Sequence, residues 1–378
     1  MTTEGKRLLI AGGGTGGHLF PALAVATYWE ELGGETLFVG TAEGMEATIL
    51  PARGKHLETL NVGRLKGVGA LGRIRTILGL PLAIWQAYRI LRRFEPQVVL
   101  GVGGYASAPA MFAARLMGIP TALHEQNAVP GLTNRWLGRW VDQILLGFPE
   151  ATARFSGRQV QVTGNPVRDS LLTEAEKMEG TVQIQAFNDT RPLSILIFGG
   201  SQGAQIFADV VPGALESLKK GGHAFEVMHQ ARPINVEPLK RLYSKMHIEA
   251  EVTPFIDDMA AAYRKADLVI CRSGAGTISE LTVMGKAALL VPYPYAADDH
   301  QTANAAFLID KGGGWVRNQD AFTSHWLARF LKTVVSDPAR VIKAGKNAGS
   351  LARPTSARKI VDRLVALTNR NEIDDEDE

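Results

Sequence analysis

The residues of this chain best suited to chemistry sit in short glycine runs that follow apolar stretches. Gly12-Gly13-Gly14-Thr15-Gly16-Gly17 has the spacing G-x-G-x-x-G and comes directly after Arg7–Ala11. Glycines there let backbone N–H groups approach an anion, and a following helix adds the positive end of its dipole. Phosphate fits that chemistry; close packing of helix on strand is the alternative that needs no ligand. His18 follows, where a helix terminus favours a neutral imidazole able to accept a proton, so it is either a base or a cap of the turn. A second loop, Gly101-Val102-Gly103-Gly104-Tyr105-Ala106-Ser107, brings another set of backbone donors, and two such sets suit a diphosphate. His124-Glu125-Gln126-Asn127 puts four polar side chains after the apolar run Thr121–Leu123, and catalytic groups belong at such strand ends.

The second half of the chain carries its own set. Gly199-Gly200-Ser201-Gln202-Gly203-Ala204 could receive the phosphate of a nucleotide. Arg272-Ser273-Gly274-Ala275-Gly276-Thr277-Ile278-Ser279-Glu280 places a small-residue turn at a helix start, with Glu280 one turn in. That carboxylate could accept two ribose hydroxyls, or simply partner the helix dipole. Asp298–Asn304 is too polar for a buried connection and reads as a further ligand loop.

Elements that position such loops are visible in the hydropathy pattern. Apolar strands alternate with helical patterns at Arg7–Ala11, Thr36–Val39, Gln97–Leu100, Thr121–Leu123 and Gln143–Leu146, and again at Leu193–Phe198, Phe225–His229, Glu249–Thr253, Leu268–Cys271 and Ala288–Val291. The expected fold is therefore α/β, with two doubly wound, Rossmann-like parallel-sheet domains facing a cleft. Ile10–Gly17 aligns with Ile197–Ala204, so each half opens with strand, glycine loop, helix. The expected boundaries are an N-terminal domain over 1–168, a polar linker over 169–192, a C-terminal domain over 193–353, a final helix over 354–369 and an acidic disordered tail over 370–378.

Several classes are disfavoured. The 378 residues, 46% hydrophobic and 21% charged, suit two packed cores rather than a disordered chain. The single Cys, Cys271, excludes an internal disulfide or a Cys-based zinc cage and points to a reducing compartment. The apolar run after Lys6-Arg7 is too short for a signal peptide, and no run approaches the ~20 residues of a membrane span. A nicotinamide oxidoreductase needs an acid at the end of the second strand, but that strand ends Phe38-Val39-Gly40-Thr41, with Glu43 two residues late. The only Asp-x-Asp, Asp375 to Asp377, lies in the tail, so no catalytic metal or other cofactor is expected. Helix dipoles, backbone N–H groups and Arg168 would then stabilise a leaving diphosphate. The formal charge of +3 hides a basic body, because six of the last eight residues are acids. Arg64, Lys66, Arg73, Arg75, Arg89, Arg92 and Arg93 are interleaved with apolar residues and no acid. That segment reads as docking on anionic lipid or as a packed helix with a solvated basic face. Nucleic-acid binding would leave four glycine loops unexplained.

Taken together, these loops closely resemble the MurG family of UDP-N-acetylglucosamine transferases in bacterial peptidoglycan synthesis. The match rests on Gly13–His18 with Pro21–Ala24, Gly101–Ala108, His124–Asn127 with Pro130-Gly131, Gly164–Arg168, Gly199–Ala204, Arg272–Glu280 and Asp299–Asn304. It departs at Gln205 and Ala208, where better-known members carry Arg and Asn. The resemblance implies a GT-B fold with acceptor and membrane on the N-terminal domain, UDP-sugar mainly on the C-terminal one, and a final helix over Thr355–Leu367 returning to the first domain. By the same analogy, Thr15, Gly16, Gly17 and Asn127 would face the donor sugar, Arg168 and Ser201 the nucleotide and its phosphates, and Ile256 the uracil through its backbone. Ala275, Gly276, Thr277, Ile278, Ser279, Glu280 and Gln301 would complete the donor pocket, with Glu280 on the ribose. The acceptor diphosphate would occupy the loops of Gly13, Gly14, Gly103 and Gly104.

The implied reaction is inverting transfer of GlcNAc from UDP-GlcNAc to the muramic acid C4 hydroxyl of lipid I, the undecaprenyl-pyrophosphoryl-muramyl-pentapeptide, to give lipid II. His18 is the expected base, with Glu125 as second choice or electrostatic partner, while Tyr105, His124 and Asn134 seat the acceptor. The expected location is peripheral, on the cytoplasmic face of the cell membrane, against anionic phospholipid and near other proteins of cell-wall synthesis. A related glycolipid glycosyltransferase and a UDP-GlcNAc 2-epimerase are the alternatives.

Overall fold

The computed structural model describes residues 2–63, 70–155, 159–179, 187, 191–200 and 203–376, with no side chains described for 70–77, 179 and 370–376. The chain divides into two compact units, one of Met1–Arg168 with Pro354–Glu378 and one of Asp169–Arg353.

The first unit runs β1 (Arg7–Gly12), α1 (Gly16–Glu31), β2 (Glu35–Gly40), α2 (Glu46–Ala52), β3 (Leu57–Thr59), α3 (Ala70–Phe94), β4 (Val98–Gly103), α4 (Ser107–Leu116), β5 (Thr121–Glu125), α5 (Leu132–Leu137), β6 (Gln143–Leu146) and β7 (Gln159–Val162). All neighbouring strands are parallel, in the order β3-β2-β1-β4-β5-β6-β7. The winding reverses between β1 and β4, so both N-terminal glycine loops leave the sheet at its switch point, where open α/β sheets bind ligands. β1 and β4 are buried on both faces, which is why their sequences are continuous apolar runs rather than alternations.

The second unit runs α6 (Asp169–Glu179), β8 (Leu193–Phe198), α7 (Gln205–Lys220), β9 (Phe225–Gln230), α8 (Pro233–Lys245), β10 (Ala250–Thr253), α9 (Met259–Lys265), β11 (Leu268–Cys271), α10 (Ala275–Val283), β12 (Ala287–Leu290), α11 (His300–Ile309), β13 (Gly314–Val316), α12 (Ser324–Ser336) and α13 (Pro338–Gly349). Its parallel sheet has the order β10-β9-β8-β11-β12-β13. β8 therefore takes the place in its sheet that β1 takes in the first, and the repeated strand–glycine–helix segment marks each switch point. α14 (Ser356–Glu376) packs on α1 in the first unit, burying Ile360, Val361, Leu364 and Val365 against β1 and β4.

Two stretches differ from the sequence reading. Within the expected polar linker of 169–192, Asp169–Glu179 is helix α6, part of the second unit. Leu171 is fully buried and Glu174 bridges Arg264 of α9 at 2.8 Å, so a single apolar stripe on a polar segment suffices to dock it. In the stretch read as a disordered acidic tail over 370–378, α14 continues to Glu376. Once a helix is nucleated, each added residue gains a hydrogen bond without a new nucleation cost.

Candidate active site

In the first unit the two glycine loops touch. Gly13 N–H donates to Gly103 C=O at 3.2 Å. At Gly12, with φ +136°, a Cβ would lie 2.1 Å from that carbonyl oxygen, and at Gly104, with φ +86°, one would lie 2.6 Å from Gly13 O. Much of the glycine requirement is thus the approach of one loop to the other. Gly14 N–H donates at 2.7 Å to Glu46 Oε2. The expectation that Gly13 and Gly14 offer their N–H groups to an acceptor diphosphate is corrected here, since both are spent inside the protein. Gly16 and Gly17 begin α1 behind the N-cap Thr15, which makes no side-chain cap, and their N–H groups have no acceptor within the helix.

His18 lies half-buried on the first turn of α1 with Nδ1 3.1 Å from Gly13 O and 3.3 Å from Thr15 Oγ1. A carbonyl only accepts, so Nδ1 carries the proton and Nε2 is the basic nitrogen. Nε2 lies 3.2 Å from where a Gly103 Cβ would stand, and the side-chain amide of Asn134 lies 3.3 Å from the same point. A proton acceptor and a hydrogen-bonding amide thus flank one spot over the end of β4. Tyr105 is half-buried in the turn that follows.

Glu125 sits behind this spot, 1% exposed. Oε1 accepts from Asn127 N–H at 2.8 Å and Asn127 Nδ2 at 3.3 Å; Oε2 accepts from Asn134 Nδ2 at 2.8 Å and Gly131 N–H at 3.2 Å. Burial raises its pKa, against the pull of those four donors. Both oxygens of Glu125 are thus engaged, and the carboxylate holds Asn127, Gly131 and Asn134 in place. His124 is also used internally: Nε2–H donates to Gly164 O at 3.2 Å and Nδ1 accepts from Gln126 Nε2 at 3.1 Å. Burial keeps the ring neutral, its pKa lowered to about 4. The ring, expected to seat the acceptor, is buried and grips Gly164, on the segment leading to Arg168. Arg168 places its guanidinium 5.0 Å from the Phe20 ring centroid, on the α1 side of the first unit.

In the second unit the end of β8 turns through Gly199, Gly200 and Gly203 into α7, and the end of β11 turns through Gly274 into α10. Neither N-cap, Ala204 nor Gly274, supplies a side-chain cap. Two helix N-termini at one switch point therefore present backbone donors, a ready site for a diphosphate. Ser201 lies outside the described residues. Ala275 and Ile278 point into the core, while Gly276, Thr277, Ser279 and Glu280 are half-exposed. Tyr263 O–H donates to Glu280 Oε2 at 3.1 Å, orienting the carboxylate. Gln301 Oε1 accepts from Tyr293 N–H at 2.9 Å, and Ile256 is buried in the turn between β10 and α9. Gln205, at one departure from the family pattern, joins Asp209 and Asn235 on the surface through its amide.

Sequence reasoning passed over two residues that hold these loops. Gln230, at the end of β9, accepts from Gly199 N–H at 3.1 Å and donates to Gly200 O at 3.0 Å and Pro254 O at 3.2 Å. It ties the glycine loop to the turn that carries Ile256. Glu46 does the same work under the first loop. The signal for Gln230 was its place at a strand end; for Glu46 it was the glycines on either side of Thr41, at 40 and 44.

A histidine over one switch point and paired helix N-termini at another suit a nucleotide-sugar glycosyltransferase of GT-B architecture. Residues 8–146 match the glycosyltransferase family 28 N-terminal domain and residues 194–364 the glycosyltransferase family 28 C-terminal domain. A relative from Magnetococcus marinus, named UDP-N-acetylglucosamine–N-acetylmuramyl-(pentapeptide) pyrophosphoryl-undecaprenol N-acetylglucosamine transferase, is 51% identical over 97% of this chain and 99% of its own. One of the same name from Myxococcus xanthus is 43% identical over 96% and 93%. The crystal structure of Acinetobacter baumannii MurG is similar with a TM-score of 0.77 at 34% identity, covering 96% of this chain and 99% of that one. UDP-GlcNAc 2-epimerase from Neisseria meningitidis shares the fold at a TM-score of 0.65 and 16% identity, covering 96% and 100%. The chain belongs to the MurG family of UDP-N-acetylglucosamine-dependent glycosyltransferases.

Proposed function

We propose that this chain transfers GlcNAc from UDP-GlcNAc to the muramic acid C4 hydroxyl of lipid I, giving lipid II, with His18 as the base. The observation that carries the mechanism is the His18 ring, with Nδ1–H on Gly13 O and Nε2 beside Gly103 and Asn134. The C4 oxygen attacks C1 of GlcNAc from the side opposite UDP, its proton passes to Nε2, and the C1–O bond to the diphosphate breaks, so the α linkage becomes β. The negative charge that develops on the leaving UDP is met by the N-termini of α7 and α10 and by Arg168. Glu280 and Gln301 hold the nucleoside, Thr15, Gly16, Gly17 and Asn127 the donor sugar, and Gly103, Gly104, Tyr105 and Asn134 the acceptor.

An acceptor anchored in lipid supports a peripheral place on the cytoplasmic face of the cell membrane, within reach of other proteins of cell-wall synthesis. Among the described residues no helix is long and apolar enough to cross a membrane. α3 supplies the docking face: Leu78, Leu82, Trp85 and Tyr88 are exposed, while Ala83, Ala87, Ile90 and Leu91 are buried. Arg89 lies over Trp85 at 4.9 Å and Arg92 follows, a basic edge suited to anionic lipid. Arg64 and Lys66 of the same basic stretch lie outside the described residues.

Mass spectrometry of products from UDP-GlcNAc and a short-chain lipid I analogue, with a no-acceptor control, tests the reaction. Disaccharide and UDP appearing only with acceptor is the expected result. Intact UDP-GlcNAc with folded protein and competent acceptor would overturn it.

A further inference from the structure

The first glycine loop already contains an anion. Glu46, the first residue of α2, is 1% exposed, and its carboxylate reaches back beneath the turn after β1. Oε2 accepts Gly14 N–H at 2.7 Å; Oε1 accepts Thr41 N–H and Thr41 Oγ–H, both at 2.9 Å. The slot is made of missing side chains. A Cβ would lie 2.6 Å from the carboxylate at Gly13, 2.6 Å from Cγ at Gly40 and 2.2 Å from the carboxylate at Gly44. Gly40 and Gly44 have no left-handed backbone to explain them, so it is the glutamate side chain that requires glycine there.

Gly14 N–H and Gly13 C=O belong to one trans peptide, so they point in opposite directions. Glu46 holds its N–H end, and His18 Nδ1 lies 3.1 Å from its C=O end. With glycine on both sides, at φ +146° and +86°, that peptide has little steric barrier of its own against turning over. If it turned, a carbonyl would face Glu46 and an N–H would face His18, and Nδ1 would have to accept rather than donate. A carboxylate on the N–H end also polarises the peptide, making its carbonyl a stronger acceptor for the imidazole.

We propose that Glu46 is a positioning residue for the reaction: through the Gly13–Gly14 peptide it fixes the Nδ1–H tautomer and the orientation of His18, leaving Nε2 to take the proton. The proposal rests on the reading of His18 as base, and the test separates the two. In Glu46→Gln the amide N–H₂ cannot accept at both former oxygen positions, so one of the three bonds is lost. Expected for this variant are kcat lower by about tenfold or more, KM for UDP-GlcNAc within about twofold, and the acid limb of the kcat/KM profile moved to lower pH, since a charge favouring protonated His18 has gone. Nitrogen NMR of the His18 ring, assigned by its loss in His18→Ala, is expected to show Nδ1–H in the parent protein and a mixture in the variant.

A role in folding alone would lower the melting temperature but leave the pH limb and the ring tautomer where they were, and that result overturns the proposal. Should Glu46→Gln fail to fold, Gly44→Ala displaces the same carboxylate and is expected to give the same changes; unchanged kcat, limb and tautomer there overturn it equally. If His18→Ala keeps full turnover, the base assignment falls, while the tautomer measurement still decides whether Glu46 sets the ring.

Discussion

At the scale of the residue, His18 and Glu125 are both legible as polar groups after strand ends, but the fold surrounds them differently. His18 has one nitrogen fixed and the other facing Gly103 and Asn134, whereas both oxygens of Glu125 are occupied by four donors. His18→Ala is therefore expected to lower kcat by roughly 10²–10⁴ with UDP binding kept, as read by steady-state kinetics beside calorimetric titration with UDP. Unchanged turnover would remove His18 from the mechanism. Glu125→Gln leaves at least one buried donor without an acceptor, so the cost is expected first in stability, about 1–3 kcal/mol in a urea titration, with turnover falling as Asn127 and Asn134 loosen. Full stability with lost turnover would instead return Glu125 to the role of a base.

At the scale of the element, strands and their order of appearance could be read because continuous apolar runs bounded by glycine mark buried parallel strands. Helices were harder. α6 reads as linker because its composition is polar, although its buried stripe needs little more than Leu171. α3 shows the opposite difficulty: it is apolar on two faces, and periodicity cannot say which one faces the sheet. The fold buries Ala83, Ala87, Ile90 and Leu91 against α4 and leaves Leu82 and Trp85 about half exposed, at 51% and 53%. Burying each of these in a bilayer surface would contribute about 1.5–3 kcal/mol at most. Leu82→Asp with Trp85→Asp is therefore expected to weaken binding to anionic vesicles by about tenfold or more while sparing turnover of a water-soluble acceptor analogue. Co-sedimentation that ignores both the substitutions and the lipid charge would exclude α3 as the docking face.

At the scale of the whole molecule, each unit buries a neutral histidine, His124 in the first and His229 in the second, and burial lowers each pKa from 6.5 to about 4. The unfolded chain then binds protons that the folded chain refuses, so each contributes stability that is present above pH 6.5 and lost as pH falls toward 4. Glu125 and Asp169, whose pKa values burial raises, run the other way, so the net profile is a balance. The difference between the parent protein and His229→Leu isolates this histidine: the gap in unfolding free energy is expected to shrink by up to about 3 kcal/mol on acidification across that window. A gap that does not change with pH would mean that the folded chain takes up a proton at His229 as readily as the unfolded one. From local pattern alone come the two parallel-sheet units, the glycine turns at their switch points and a histidine beside one of them, because strand periodicity, glycine spacing and helix starts are properties of short segments. Tertiary structure alone decided which loop donors remain for a ligand. Gly14 N–H is taken by a carboxylate 32 residues on, and Gly13 N–H by the carbonyl of Gly103. Those partners meet only because β2 and β4 flank β1 in the sheet, and no local pattern records which strand will lie beside which.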